Sequence, residues 1–284
     1  MRCLVLSGGA AKGAFQVGAL IHLIINLKYS YKNFSGVSVG ALNSSFLAQY
    51  NDLEQGIFDL RNLWCNIRKE NILKRHFPFG RLHGLWKKSL YDSKPLQDLI
   101  DTNIDIYKIQ QSNNNIDIGS VCLNNGKYST VNQDNKNFID HVKASCSFPG
   151  LFEPISINDE LWLDGGVKSI TPLQAAINSG ASEIDVILTS PESNNVCFNK
   201  GNSIDILKRS IDLMIDSIIE SDIRKAQLYN KILEHESIQD KRKVNINIIR
   251  PNKVLLNDSF DFSIEKTKNL IDIGYNSARE LCQN

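Results

Sequence analysis

The chain has 284 residues, 42% apolar and 22% charged, with a net charge of +1, the composition of an ordinary globular protein long enough to form one large core in a single domain spanning residues 1–284. So small a net charge gives no reason to expect nucleic acid as a partner. The six cysteines, Cys3, Cys65, Cys122, Cys146, Cys197 and Cys282, show no Cys-x-x-Cys pair and no histidine at ligand spacing, which argues against a zinc site or a disulfide framework and for reduced thiols in a cytoplasmic protein.

Met1-Arg2 runs straight into the strand-like Cys3-Leu4-Val5-Leu6, without the regions of a cleaved signal. A helix is expected from about Ala14 to Asn26, a strand at Phe34–Val37 and a helix from about Val39 to Tyr50. Strand, loop and helix in repetition imply a three-layer α/β/α fold with a mostly parallel central sheet. The apolar stretch around Ala19–Ile25 falls far short of the ~20 residues that span a bilayer.

The segment Arg61–Lys94 carries nine basic residues against Glu70 and Asp92, interleaved with Trp64, Phe77, Phe79, Leu82, Leu85 and Trp86. It reads first as a solvated excursion whose aromatics pack on the core. The second reading is a lid, or peripheral contact with an anionic lipid surface. Further strands are expected at Ile116–Leu123 and Tyr128–Asn132, joined by an Asn124-Asn125-Gly126 turn, and at Leu161–Leu163, Ile184–Thr189 and Val244–Ile249. Helices are expected at Thr171–Asn178, at about Ser203–Glu236 and from Ser263 to the C-terminus.

Three loops carry the chemistry. Gly36-Val37-Ser38-Val39-Gly40 lies between a strand and a helix, where Gly-x-Ser-x-Gly forms a nucleophile elbow: Gly36 and Gly40 leave room for the sharp turn, and Ser38 is held at a helix N-terminus. Ser7-Gly8-Gly9-Ala10-Ala11-Lys12-Gly13 follows the first strand, so its N–H groups converge on the end of the sheet where Ser38 lies. Converging donors suit an oxyanion, and Gly9 and Ala10 are the best candidates. A phosphate loop is disfavoured, because no Gly-Lys-Ser/Thr occurs and the spacing is not Gly-x-Gly-x-x-Gly. Leu161-Trp162-Leu163-Asp164-Gly165-Gly166 ends a strand in an aspartate on a tight loop, which taken alone is an ordinary turn sequence.

In this order the three loops resemble the patatin-like phospholipase family. The likeness continues through Ala144-Ser145-Cys146-Ser147-Phe148-Pro149-Gly150-Leu151-Phe152 and through Thr171-Pro172-Leu173, Ile177 and Gly180-Ala181. It spans roughly Leu4 to Thr189, with a weaker echo at Ile249-Arg250-Pro251 and Gly274-Tyr275. The resemblance implies a patatin-like fold and a lipid acyl hydrolase of phospholipase A or lysophospholipase type. It makes Ser38 the nucleophile, Asp164 its base on the loop with Gly165 and Gly166, and the Gly8, Gly9, Ala10, Lys12 and Gly13 loop the oxyanion hole. The expected substrate is a lipid or other acyl ester, with no cofactor and no metal. Two positions depart from the family pattern: Ala10 stands where a third glycine is usual, and Lys12 where arginine is more frequent. If position 10 needs φ > 0, the loop carries strain, and a catalytically weak lipid-binding protein on the same fold is the alternative. A Ser–His–Asp triad in the order Ser, acid, His would have to use His235, the one histidine after Asp164, which sits in a charged helical stretch. His22, His76, His83 and His141 have no motif context and read as structural or exposed.

Overall fold

The computed structural model describes residues 1–75, 88–192, 202–235, 242–256 and 258–282. Its strands are β1 (Arg2–Leu6), β2 (Asn33–Gly36), β3 (Lys74–Arg75), β4 (Tyr91–Asp92), β5 (Asn115–Cys122), β6 (Tyr128–Asn132), β7 (Ile155–Ile157), β8 (Glu160–Asp164), β9 (Glu183–Ile187) and β10 (Asn245–Ile249). In β1, Leu4 and Leu6 enter one apolar cluster while Cys3 and Val5 enter another. A strand buried on both faces needs helices on both, and that requirement favours parallel pairing through crossovers. The sheet runs β10-β9-β1-β2-β5-β8-β7 with β6 also on β5. The strands β10, β9, β1, β2 and β5 pair in parallel, whereas β6, β8 and β7 are antiparallel additions.

The cluster around Leu4 and Leu6 takes in α1 (Gly13–Ile21), α2 (Val39–Ala48), α3 (Leu53–Asn66) and the C-terminal helix Ile264–Leu281. The opposite cluster takes in the short helix Leu173–Asn178 and the long helix Ser203–His235. The fold is therefore three-layered, as the alternating pattern predicts. The C-terminal helix meets α1 backbone to backbone: a Cβ on Gly18 would lie 1.8 Å from the Ile271 carbonyl oxygen, and one on Gly274 would lie 1.9 Å from that of Phe15. Only glycine permits so close an approach.

The first helix covers the expected stretch, as an α-helix to Ile21 that continues to Asn26 as a π-helical turn. The hairpin between β5 and β6 turns at Gly126, with φ 68. The helices Leu53–Asn66, Lys94–Asn103, Ile106–Gln111 and Phe138–Ser145 were not anticipated from periodicity. In the basic segment, residues 76–87 lie outside the described residues, and with them Phe77, Phe79, Leu82, Leu85, Trp86 and Lys87. Trp64, counted among its aromatics, is a core residue at 2% exposure; it stacks on Phe262 and donates from Nε1 to Asn43 Oδ1 at 2.8 Å. Among the described residues no helix is long and apolar enough to cross a membrane. Cys3, Cys65, Cys122, Cys146 and Cys282 are free thiols.

Candidate active site

Strand register explains how residues 126 positions apart in sequence come together. The β2–β5 ladder sets Gly36 beside Ile118, so two residues further on Ser38 reaches the level of Ser120. The antiparallel β5–β8 ladder sets Asp164 beside that same Ser120. Both lie at the carboxyl end of the parallel strands, where open α/β sheets place their ligands.

At the elbow the backbone of Ser38 takes φ 58 and ψ −129 immediately before α2, a conformation that disfavours any side chain and costs of order 1–3 kcal/mol. The flanking glycines are required sterically. A Cβ on Gly36 would lie 2.3 Å from the Gly40 carbonyl oxygen, and one on Gly40 would lie 2.1 Å from that of Leu6. The strained residue is held on both sides: its N–H donates to Ser145 Oγ at 2.9 Å, Ser145 Oγ donates to the Gly119 carbonyl at 2.7 Å, and Cys146 Sγ donates to the Ser38 carbonyl at 3.3 Å.

Asp164 is 1% exposed and accepts from the Gly166 N–H at 2.8 Å. Burial pushes its carboxyl up to about 7, against the opposing pull of hydrogen bonds from the Gly166 N–H and the Ser38 side chain. A carboxylate this basic suits proton abstraction near neutral pH. Gly165 is confined by the Gly119 carbonyl oxygen, 2.5 Å from where its Cβ would lie.

In the glycine-rich loop most N–H groups are committed. Gly8 donates to the Ile170 carbonyl at 3.3 Å, Ala11 to that of Ser259 at 2.9 Å and Lys12 to that of Gly9 at 3.1 Å, while Gly13 bonds the Ala10 and Ala11 carbonyls. Of the expected donors Gly8, Gly9, Ala10, Lys12 and Gly13, only Gly9 and Ala10 keep an N–H without an acceptor among the described residues. The loop rests on a buried, satisfied network. Trp64 of α3 donates to Asn43 of α2, Asn43 donates to Gln16 of α1 at 2.9 Å, and Gln16 donates to the Ser7 carbonyl at 2.7 Å. Thr189, just past β9, closes the other side by donating to the Gly8 carbonyl at 2.7 Å. Desolvation lowers the pKa of the half-buried Lys12, and the charges of Asp212 and Asp216 on the long helix oppose the shift.

Ala10 occupies the left-handed region at φ 50, so position 10 does require positive φ. For a residue with a Cβ this costs ~1–2 kcal/mol, partly offset by the ~0.4–1 kcal/mol that alanine gains over glycine through a less disordered unfolded chain. Ala10→Gly is therefore expected to stabilise the fold by about 0.5–1 kcal/mol without lowering turnover, as thermal unfolding and a soluble-ester assay would show.

Among the described residues no histidine bonds Ser38 or Asp164. His141 is buried, bonds Ser120 Oγ at 2.9 Å and lies edge-on to Trp162, and His22 packs against Tyr275. His235 is exposed at the end of the long helix, while His76 and His83 lie outside the described residues. A groove of about 600 Å³ is lined by Asp117, Tyr128, Lys168, Thr171, Asp222 and Lys225 among others. It includes neither Ser38 nor Asp164. Ser145 and Cys146, which support the site, lie in a segment that the sequence marked only by its family likeness, and Thr189 was given no role.

Over residues 4–177 the chain matches the family model described as patatin-like phospholipase. It is 24% identical over 275 residues to the probable lipid hydrolase 463L of Invertebrate iridescent virus 6, covering 87% of this chain and 92% of that protein. Its fold is similar to the crystal structure of VipD from Legionella pneumophila, with a TM-score of 0.51 and 14% identity; the likeness covers 99% of this chain and 66% of the VipD chain. With more than half of its length matched by the family model, the chain belongs to the patatin-like phospholipases.

Proposed function

We propose that the chain hydrolyses fatty-acyl esters of lipids, in the manner of a phospholipase A or lysophospholipase, through a dyad of Ser38 and Asp164. The observation that carries the reading is the pairing of a buried carboxyl, raised to about 7, with a serine held at φ 58 ahead of a helix. Ser38 Oγ attacks the ester carbonyl carbon as Asp164 takes the hydroxyl proton, and the carbonyl electron pair moves onto oxygen. The N–H groups of Gly9 and Ala10 receive that oxyanion, a contact of the kind that is worth ~3 kcal/mol or more. Collapse expels the alcohol, protonated by Asp164, and water repeats the cycle to release the fatty acid.

The scheme uses protein groups and water alone. Wild-type protein is therefore expected to release fatty acid from mixed phospholipid vesicles with a chelator present, and Ser38→Ala to release at least ~10³-fold less. Equal release by the two proteins would overturn the dyad. The strained Ala10 favours a second reading, a lipid binder of low activity on the same fold. That protein would sediment with vesicles in the same assay without releasing acid. Peripheral contact through the basic segment Arg61–Lys94 belongs to the proposal as well, carried by its cations and without Trp64.

A further inference from the structure

The long helix Ser203–His235 buries Ile219, Ile223 and Ala226 against the sheet, at the spacing of one helical face. Asp222 falls inside this apolar stripe and is only 6% exposed, a position where a carboxylate is costly unless its bonds are satisfied. A single oxygen, Oδ2, accepts from Ser169 Oγ at 3.0 Å and from the N–H groups of Ile170 and Thr171, each at 3.1 Å. Oδ1 faces Lys225 Nζ at 3.7 Å. The three donors are consecutive residues just beyond the Asp164–Gly166 loop.

The middle one, Ile170, touches both halves of the candidate site. Its carbonyl receives the Gly8 N–H. Its side chain packs over both loops, 2.9 Å from where a Cβ on Gly8 would lie and 3.3 Å from where one on Gly166 would lie. Any shift of Ser169–Thr171 therefore moves the oxyanion loop and the base loop relative to Ser38. The same helix also presents Asp212 and Asp216 to Lys12.

We propose that Asp222 is a positioning residue for hydrolysis, holding the glycine-rich loop and the Asp164 loop in register by clamping Ser169–Thr171 from the long helix. The inference rests on the Ser38–Asp164 reading given above. Removing the carboxylate leaves two buried N–H groups without an acceptor, and the clamped segment relaxes. Displacements of about 1 Å in such supports can cost ~10²-fold in rate.

The test uses the full chain with p-nitrophenyl butyrate as the ester. Asp222→Ala is expected to lower kcat roughly 10- to 100-fold with KM nearly unchanged. Asp222→Asn, which keeps a neutral acceptor oxygen, should recover kcat to within about fivefold of wild type. Asp185→Asn is the structural control: that carboxylate is also buried but lies in the middle of β9, opposite Leu4 of β1, and binds Arg2, Tyr31 and Asn247, and its loss should lower Tm while sparing kcat. A folded Asp222→Ala protein with wild-type kcat, or an equal kcat loss in Asp185→Asn, would overturn the inference and leave the dyad standing. Wild-type turnover in Ser38→Ala would instead overturn the dyad, and the inference with it. If wild-type protein does not turn over this ester, amide hydrogen exchange decides: faster exchange at Gly8 in Asp222→Ala supports the clamp, and unchanged exchange removes it.

Discussion

Asp164→Asn is expected to abolish ester turnover while making the protein more stable at neutral pH. Asparagine has the same shape and its Oδ1 still accepts from the Gly166 N–H, but it cannot take a proton, so turnover should fall by ~10³-fold or more. The stability gain follows from the raised carboxyl of Asp164, which stands at about 7 against an ordinary 3.8. Between those two values the unfolded chain has lost a proton that the folded chain retains, so wild-type stability falls as pH rises from about 4 to about 7. A shift of this size corresponds to ~4 kcal/mol at most, from which the unpartnered amide donors of asparagine subtract ~1–3 kcal/mol. The variant should therefore unfold at higher temperature than wild type at pH 8, and the advantage should vanish at pH 4. The same carboxyl dictates the pH profile. Wild-type kcat/KM on a soluble ester should reach half its maximum near pH 7 and level off above about 8, as befits a base that must be ionised in the free enzyme. Full activity at pH 5, or turnover by Asp164→Asn, would remove Asp164 from the base role.

Gly9→Ala is the second substitution with a large expected effect. A Cβ at this position would lie 2.2 Å from Thr189 Oγ1, 2.8 Å from its Cβ and 2.9 Å from its Cγ2. Thr189 cannot yield easily, because it is buried and β-branched and its hydroxyl is bonded to the Gly8 carbonyl. The glycine-rich loop must move instead, taking the Gly9 N–H with it. We expect kcat to drop ~10²-fold or more, the effect of losing one oxyanion donor, with a stability loss of ~1–3 kcal/mol from overpacking. Removing the nearest obstructing atom with Thr189→Ala should restore part of the rate, so the two substitutions should couple in a double-mutant cycle. Strict additivity would mean that the loop is not held by Thr189. Ala10→Gly acts in the opposite direction, and the contrast between adjacent positions separates backbone strain from side-chain collision.

The features legible in the sequence are local ones. Short β-rich runs identified β1, β2, β5, β6, β8, β9 and β10, and the glycines at 36, 40 and 165 marked tight turns whose backbones admit no Cβ. Several helices were missed where charge or brevity hides the apolar stripe. Leu53–Asn66 and Lys94–Asn103 lie in or beside the basic segment, although the Asp52 cap on the Glu54 and Gln55 N–H groups and the proline at the start of the second were available as signals. Asp222 also had a trace in the sequence, as a carboxylate interrupting the stripe Ile219, Ile223 and Ala226.

By itself the sequence determined the alternating strand–helix order, and with it a sheet buried on both faces, together with the chemical character of the three loops. It could not determine which loop N–H groups remain free, because Gly8 and Ala11 find their acceptors on Ile170 and Ser259 only once distant segments have packed. Nor could it determine the basicity of Asp164. An aspartate in a glycine turn is an ordinary acid in solvent, and only its enclosure between β5, the Ser147 carbonyl and the elbow removes the water that would keep it one. Local geometry is encoded by local residue types. Desolvation and the commitment of hydrogen bonds depend on contacts between segments far apart in the chain, and those exist only in the folded state.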